Sequence, residues 1–324
     1  MAELRWNPLI NDWVMIASHR QSRPQMPKDW CPFCPGSGKV PDKFDVLKYD
    51  NDFPALSQNP PEPDDVSNDF FETKPSYGKC EVILYSSNHT VTLPQLSVPH
   101  IRKIVDLWVQ RFIELSKDEK IKYIFIFENR GEVVGVTMPH PHGQIYGYSF
   151  IPKRLQLELT SCKEHYQKHN KCLICDMNRQ EADAGLRIIT ENDHFITYVP
   201  FFSEYPYGTY IVSKNHKQNI SELSEDEKNS LSQMLRDITG AYDMIFDKPF
   251  PYMMCMYQNP VNSGDVSSYY HFHIVFYPPL RAANNQKFNA SSETGAWAHC
   301  NPTAPEEKAV EIKDALSRFY KQVR

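Results

Sequence analysis

Two stretches of this chain carry residues able to bind metal or attack an electrophile. "TMPHPHGQIYG" (137–147) sets His140 and His142 two positions apart, each behind a proline, with Gln144 two further on. "HFHIV" (271–275) repeats the His-x-His without the glutamine. Two C-x-x-C pairs, Cys31/Cys34 and Cys172/Cys175, hold half of the cysteines. A close thiol pair with two distant imidazoles suits tetrahedral zinc. On a strand, residues i, i+2 and i+4 face the same way, so His140, His142 and Gln144 are expected in one line. An imidazole left free of metal is a nucleophile near neutral pH. Its attack on phosphorus gives a phosphoramidate able to pass its group on, and an adjacent amide N–H steadies the charged oxygens.

An internal repeat sorts these ligands. Asn51-Asp52 follows Cys34 by 17 positions, and Asn192-Asp193 follows Cys175 by 17. "SSNHTVTLPQLS" around His89 matches "SKNHKQNISELS" around His216. "YIFIFEN", ending at Asn129, matches "YMMCMYQN", ending at Asn259, and each half then opens a His-x-His. Features shared in one order predict a duplication, with one half over 1–160 and the other over 161–324. It nominates Cys31, Cys34, His89 and His140 for a first zinc site. Cys172, Cys175, His216 and His271 form the second, where His273 competes with His271. Both read as structural sites closed by four protein donors, and the second would also accept iron. With His140 tied to metal, His142 is the spare imidazole and Gln144 its partner. Val275 stands at the place matching Gln144, so the second half keeps the metal and loses the catalytic pair.

Positioning these groups requires strands and helices in the same order twice. "CEVILYS" (80–86), "YIFIFEN" (123–129), "TYIVSK" (209–214) and "HFHIVFY" (271–277) read as strands. Residues 96–118 and 223–246 read as helices, the second opened by a Ser224/Glu227 capping box. Pro99 fits the first turn of the other. The fold class is α+β: duplicated units forming one large antiparallel sheet with helices packed on it. Residues 58–76, rich in Pro and Asp, read as a surface insertion in the first half.

Apolar residues are 41% and the formal net charge is −5, with no run of Lys or Arg. That argues against nucleic-acid and membrane-surface partners and leaves room for a small anion held by a few local cations. The opening "MAELRWNPLINDWV" lacks a signal pattern, and no apolar run approaches bilayer length. With thiol pairs suited to a reducing compartment, the chain reads as cytoplasmic.

From "RWNPLINDWVMIASHRQSRP" through "NDFPAL", "FENRG" and "HPHGQIYG" to "FYPPLR" and "ETGAWAHCNP", the sequence resembles the galactose-1-phosphate uridylyltransferase family of the histidine-triad superfamily. The resemblance implies exchange of UMP between UDP-glucose and galactose 1-phosphate, by a ping-pong route through a uridylylated histidine in a homodimer. Carried over, His142 is the nucleophile and Gln144 its partner at the α-phosphoryl oxygens. Asn129 and Thr137 lie along the phosphates, and Asn51, Asp52 and Phe53 hold uridine. Arg20 and Arg23 reach phosphate from the neighbouring subunit. Glu128, Lys287, Phe288 and Glu293 line the hexose phosphate. Gln258 and Val275 fall where enterobacterial members place two histidines of a different second metal site, and Ser292 replaces a tyrosine near the sugar. A second enzymatic reading is a nucleoside diphosphate-sugar phosphorylase of the ADP-glucose type, using the same histidine.

Overall fold

Apolar residues run almost unbroken through the central strands and recur at helical spacing between them, and the chain folds accordingly. The structure, a computed structural model, describes residues 2–22 and 30–323. It runs through β1 (Ala2–Asn7), β2 (Asp12–Ala17), β3 (Leu47–Asp50), β4 (Thr73–Pro75), β5 (Gly78–Leu84), α1 (Val98–Ser116), β6 (Tyr123–Arg130) and β7 (His142–Tyr148). Next come α2 (Lys153–His169), α3 (Leu173–Ala184), β8 (Ile188–Glu191), β9 (Phe195–Tyr198), β10 (Thr209–Ser213), α4 (Glu225–Ile245), β11 (Tyr252–Tyr257) and β12 (His273–Tyr277). The chain closes with β13 (Leu280–Ala282), β14 (Asn285–Gln286), α5 (Ser291–Gly295) and α6 (Pro305–Val323).

Nine strands form one antiparallel sheet in the order β3-β5-β7-β6-β11-β12-β10-β9-β8. The first four positions, read inward, match β9-β10-β12-β11 read inward from the other side. The two Tyr-led runs therefore meet at the centre, β6 against β11, with Phe127 opposite Cys255. This is the duplicated α+β sheet expected from the repeat.

Alternation divides the two faces. Ile83, Ile124, Ile126, Ile145, Met254, Met256, Ile211, Ile274 and Phe276 join α1, α4 and α6 in the main core. The opposite face is covered at one end by α2 and α3, through Cys162 and Ile174 against Ile196, Tyr198 and Val212. At the other end the Cys31–Cys34 loop packs Phe33 on Val82 and Leu84. Ser97 caps α1, accepting from His100 N, and Ser224 and Glu227 form the capping box of α4. Among the described residues, no helix is long and apolar enough to cross a membrane.

The structure departs from expectation in three places. The 58–76 insertion ends in β4, which pairs with β1 and, with β2, makes a separate three-stranded sheet. Its Pro and Asp content hid a short edge strand, the position where proline is tolerated. The strand carrying the histidine pair starts at His142, not His140, because Pro139 and Pro141 have no N–H to give a ladder. Pro141 still accepts from Tyr85 N through its carbonyl at 3.0 Å, so His140 stays beside the strand. Three more helices join the two long ones: α6 packs on α4 on the same face, and α2 and α3 cover the opposite face.

A Cβ at Gly240 of α4 would lie 2.4 Å from the Phe319 ring of α6. Gly240→Val is expected to cost about 2 kcal/mol through overpacking, measured by urea unfolding; an unchanged midpoint would contradict this helix contact.

Candidate functional site

The C-x-x-C turns place their thiols against imidazoles from elsewhere. In the first half, Cys34 N donates to Cys31 O at 3.2 Å, which closes the turn. Cys34 Sγ lies 3.2 Å from His89 Nδ1, and His140 Nδ1 is 3.3 Å from His89 Nδ1, 3.7 Å from Cys34 Sγ and 3.8 Å from Cys31 Sγ. In the second half, Cys175 Sγ is 3.4 Å from His216 Nδ1 and 3.2 Å from His271 Nδ1. The four donors of each set, Cys31, Cys34, His89 and His140, and Cys172, Cys175, His216 and His271, lie within 4.8 Å of one another. Both sets could hold a metal ion.

Their chemistry fits one. The outer nitrogens of three imidazoles are occupied: His140 Nε2 donates to Ser86 O at 2.8 Å, His216 Nε2 to Ser267 O at 2.8 Å and His271 Nε2 to Ser213 Oγ at 2.7 Å. That leaves the Nδ1 lone pairs aimed inward. Burial pushes His140 down to about 4, so it is neutral and ready to coordinate. Burial also pushes the Cys31 thiol up to about 11. A cation is what would make a thiolate stable there. Cys172 is lowered by its hydrogen bond with Cys175 and then by His216 and His271. Between the two candidates at the second set, His271 is the one inside it. His273 stacks on Tyr257 with centroids 5.0 Å apart.

The histidine of the first pair that lies outside the Cys/His set is fixed by its neighbour. His142 Nδ1 donates to the carbonyl of His140 at 2.7 Å. The hydrogen therefore sits on Nδ1, and Nε2 carries the lone pair. Gln144 follows on the same face of β7. Between them, Gly143 passes so close to Tyr85 that a Cβ would lie 2.3 Å from the Tyr85 hydroxyl. A cavity of about 220 Å³ opens beside His142, lined also by Asn129, Val136 and Met138. The Thr137 hydroxyl is buried without a hydrogen-bond partner among the described residues, as a group awaiting a ligand would be.

Other sequence-derived residues divide by location. Phe33 lies 5.7 Å from the His142 ring and 5.4 Å from Tyr49, whose hydroxyl donates to Asp52 at 2.9 Å. The Asn51–Phe53 turn, closed by Phe53 N donating to Asn51 Oδ1 at 2.9 Å, is thereby linked to the histidine through Tyr49 and Phe33 and does not line the cavity beside it. Arg20 reaches Tyr146 on the Gln144 face of β7 at 3.5 Å; Arg23 lies outside the described residues. Lys287 pairs with Glu293 at 3.2 Å and stands over the Tyr205 ring in the second half, with Phe288 exposed. None of these three lines the cavity beside His142.

Glu128 touches that cavity from behind. Its carboxylate points to the helix face, opposite to Gln144, and accepts from Tyr85 Oη at 3.1 Å and Tyr252 Oη at 2.9 Å. Burial pushes it up to about 7. Sequence reasoning passed over these tyrosines and the serines behind the ligands. Ser86 and Ser213 were findable, as each stands three before the histidine of its Asn-His.

Comparison with known proteins decides the family. Residues 1–152 match the N-terminal domain of galactose-1-phosphate uridyl transferase and residues 158–321 its C-terminal domain. The chain belongs to this family. It is an enzyme of the nucleotidyltransferase class. The galactose-1-phosphate uridylyltransferase of Thermotoga maritima is 41% identical over 315 residues, covering 97% of this chain and 98% of the relative. A solved uridylyltransferase superposes with a TM-score of 0.89 at 31% identity, covering 98% of this chain and 99% of that one. An Arabidopsis thaliana ADP-glucose phosphorylase, solved with bound ADP-glucose, shares the fold with a TM-score of 0.74 at 24% identity, covering 97% and 99%.

Two outcomes follow. Cys31→Ser should remove one of two metal equivalents per chain and Cys172→Ser the other, by elemental analysis; two equivalents in either variant would overturn the assignment. Glu128 binds its proton more tightly folded than unfolded, 4.5 being its ordinary value. The native state thus loses stability as pH rises from there to about 7, and no more above. Relative to the parent, Glu128→Gln should gain about 3 kcal/mol between pH 4.5 and 8. Equal urea midpoint differences at both pH values would contradict this.

Proposed function

We propose that the chain transfers UMP between UDP-glucose, or UDP-galactose, and hexose 1-phosphate, galactose 1-phosphate in the forward direction, through a uridylyl-His142 intermediate. The observation that carries it is the His142 Nδ1–H bond to the His140 carbonyl, which leaves Nε2 as the nucleophilic atom. Nε2 attacks the α-phosphorus, the bond to the hexose phosphate oxygen breaks, and glucose 1-phosphate leaves while UMP stays on nitrogen. Galactose 1-phosphate then attacks the same phosphorus through its phosphate oxygen, the N–P bond breaks, and UDP-galactose departs.

In this reading the Gln144 amide donates to the α-phosphoryl oxygens. Thr137 and Asn129 donate along the phosphates, and Asn51, Asp52 and Phe53 hold the uridine. Lys287, Phe288 and Glu293 are too remote from His142 in one chain to meet the hexose phosphate. A homodimer brings them, with Arg20 and Arg23, from the second subunit. Glu128 supports the site through Tyr85. Zinc at both Cys/His sets, or iron at the second, supplies rigidity when bound, holding the ligand loops together. Residues 1–160 then carry the chemistry and 161–324 the sugar-phosphate loop. The thiol ligands suit the cytoplasm.

Incubated with UDP-glucose alone, the enzyme should release one glucose 1-phosphate per chain and retain UMP, found by mass spectrometry on His142. His142→Ala should lose turnover by roughly a thousandfold or more with both metals retained. UMP on another side chain would end this mechanism. Labelling by ADP-glucose but not UDP-glucose would make the chain a nucleoside diphosphate-sugar phosphorylase.

A further inference from the structure

The second His-x-His also opens onto a cavity, and a larger one. It measures about 760 Å³ and lies on the side of β10 and β12 covered by α2 and α3. His273 faces it and repeats the lock of the first half, its Nδ1 donating to the His271 carbonyl at 3.0 Å. Its Nε2 has no hydrogen-bond partner among the described residues, although the side chain is only 4% exposed. Beside it Arg154 reaches Glu158 at 3.4 Å and Glu204 at 3.3 Å. These contacts are long, so donors and acceptors remain available to a ligand. The guanidinium stands 5.4 Å over the Tyr277 ring, which holds it at the floor.

The mouth is aromatic. Phe202 and Trp297 line it, each 53% exposed. Trp297 has φ of +55°, a left-handed backbone that a bulky residue adopts at a cost. The structure thus holds an indole over the opening against local preference. Three acidic side chains, Asp12, Glu158 and Glu204, face Lys153 and Arg154, with His299 3.9 Å from Glu204. Burial pushes Glu158 up to about 7, so the acids and bases of the cavity come close to balance. The described Cys, His, Asp and Glu side chains form just the two metal sets already given, so the cavity has no third one.

We propose that this cavity binds an uncharged heteroaromatic ring carrying adjacent N–H and C=O groups, a nucleobase or its nucleoside. A carboxylate of the Arg154 pair accepts from the ring N–H while the guanidinium donates to the carbonyl, the complementary edge that such rings present. Phe202 and Trp297 offer stacking surfaces, which every base can use. The proposal does not rest on transfer chemistry at His142.

Isothermal titration of the metal-loaded enzyme with inosine tests it, with adenosine, which lacks that edge, as control. One inosine should bind per chain, at least tenfold tighter than adenosine. Arg154→Met should weaken binding at least tenfold. So should Ser161→Trp, which fills the cavity from the exposed side of α2 without touching a buried bond. His142→Ala should leave it unchanged. No inosine binding at millimolar concentration, equal affinity for adenosine, or binding that survives Ser161→Trp would overturn the proposal.

Discussion

One peptide carbonyl governs the site. The oxygen of His140 accepts the Nδ1 proton of His142, and that single bond decides which nitrogen keeps its lone pair. The oxygen can hold that position because its own residue cannot move. His140 is buried, its Nε2 is bonded to Ser86 and its Nδ1 faces the thiols. Prolines on both sides restrict the backbone further. A flipped imidazole would have to give up the carbonyl at 2.7 Å and bury an unpaired N–H. The Cys/His set therefore orients a side chain outside it, by fixing the residue next door.

The duplication keeps this device and changes what surrounds it. His273 bonds to the His271 carbonyl as His142 does to His140. In the first half the next inward position is Gln144 and the neighbouring ring is Phe33. In the second it is Val275, and tyrosines flank the imidazole on two sides. Glu128 crosses the boundary between the halves, accepting from Tyr85 of the first and Tyr252 of the second. A buried carboxyl at that junction is costly unless hydrogen-bonded, so the central strands must stay in register to satisfy it.

Much of this was legible in the residues. Both ligand sets came from spacing, because a metal demands fixed donor types and a repeat shows which distant residues correspond. Central strands and the two long helices announced themselves by periodicity and by Ser224 and Glu227. The direction of Glu128 could not be read, since its neighbours Phe127 and Asn129 share polarity with neither face consistently. β4 was masked by an insertion whose composition reads as loop. That Lys287 and Glu293 do not line the cavity beside His142 is a tertiary fact that no local pattern encodes. The larger cavity is assembled from β2, α2, the α3 start, β10, β12 and the loop at Trp297, segments that no motif joins.

The central pairing of β6 with β11 has a consequence for how the molecule can be divided. Each of these strands has a partner on both sides, so cutting the chain between the halves would strip one long ladder from each product. The bared edges would carry Ile126 to Arg130 on one piece and Tyr252 to Met256 on the other, with unpaired N–H and C=O groups along them. Such edges recruit any strand that fits. Duplication here has left the two halves sharing one ladder, so neither sheet ends where its own half ends.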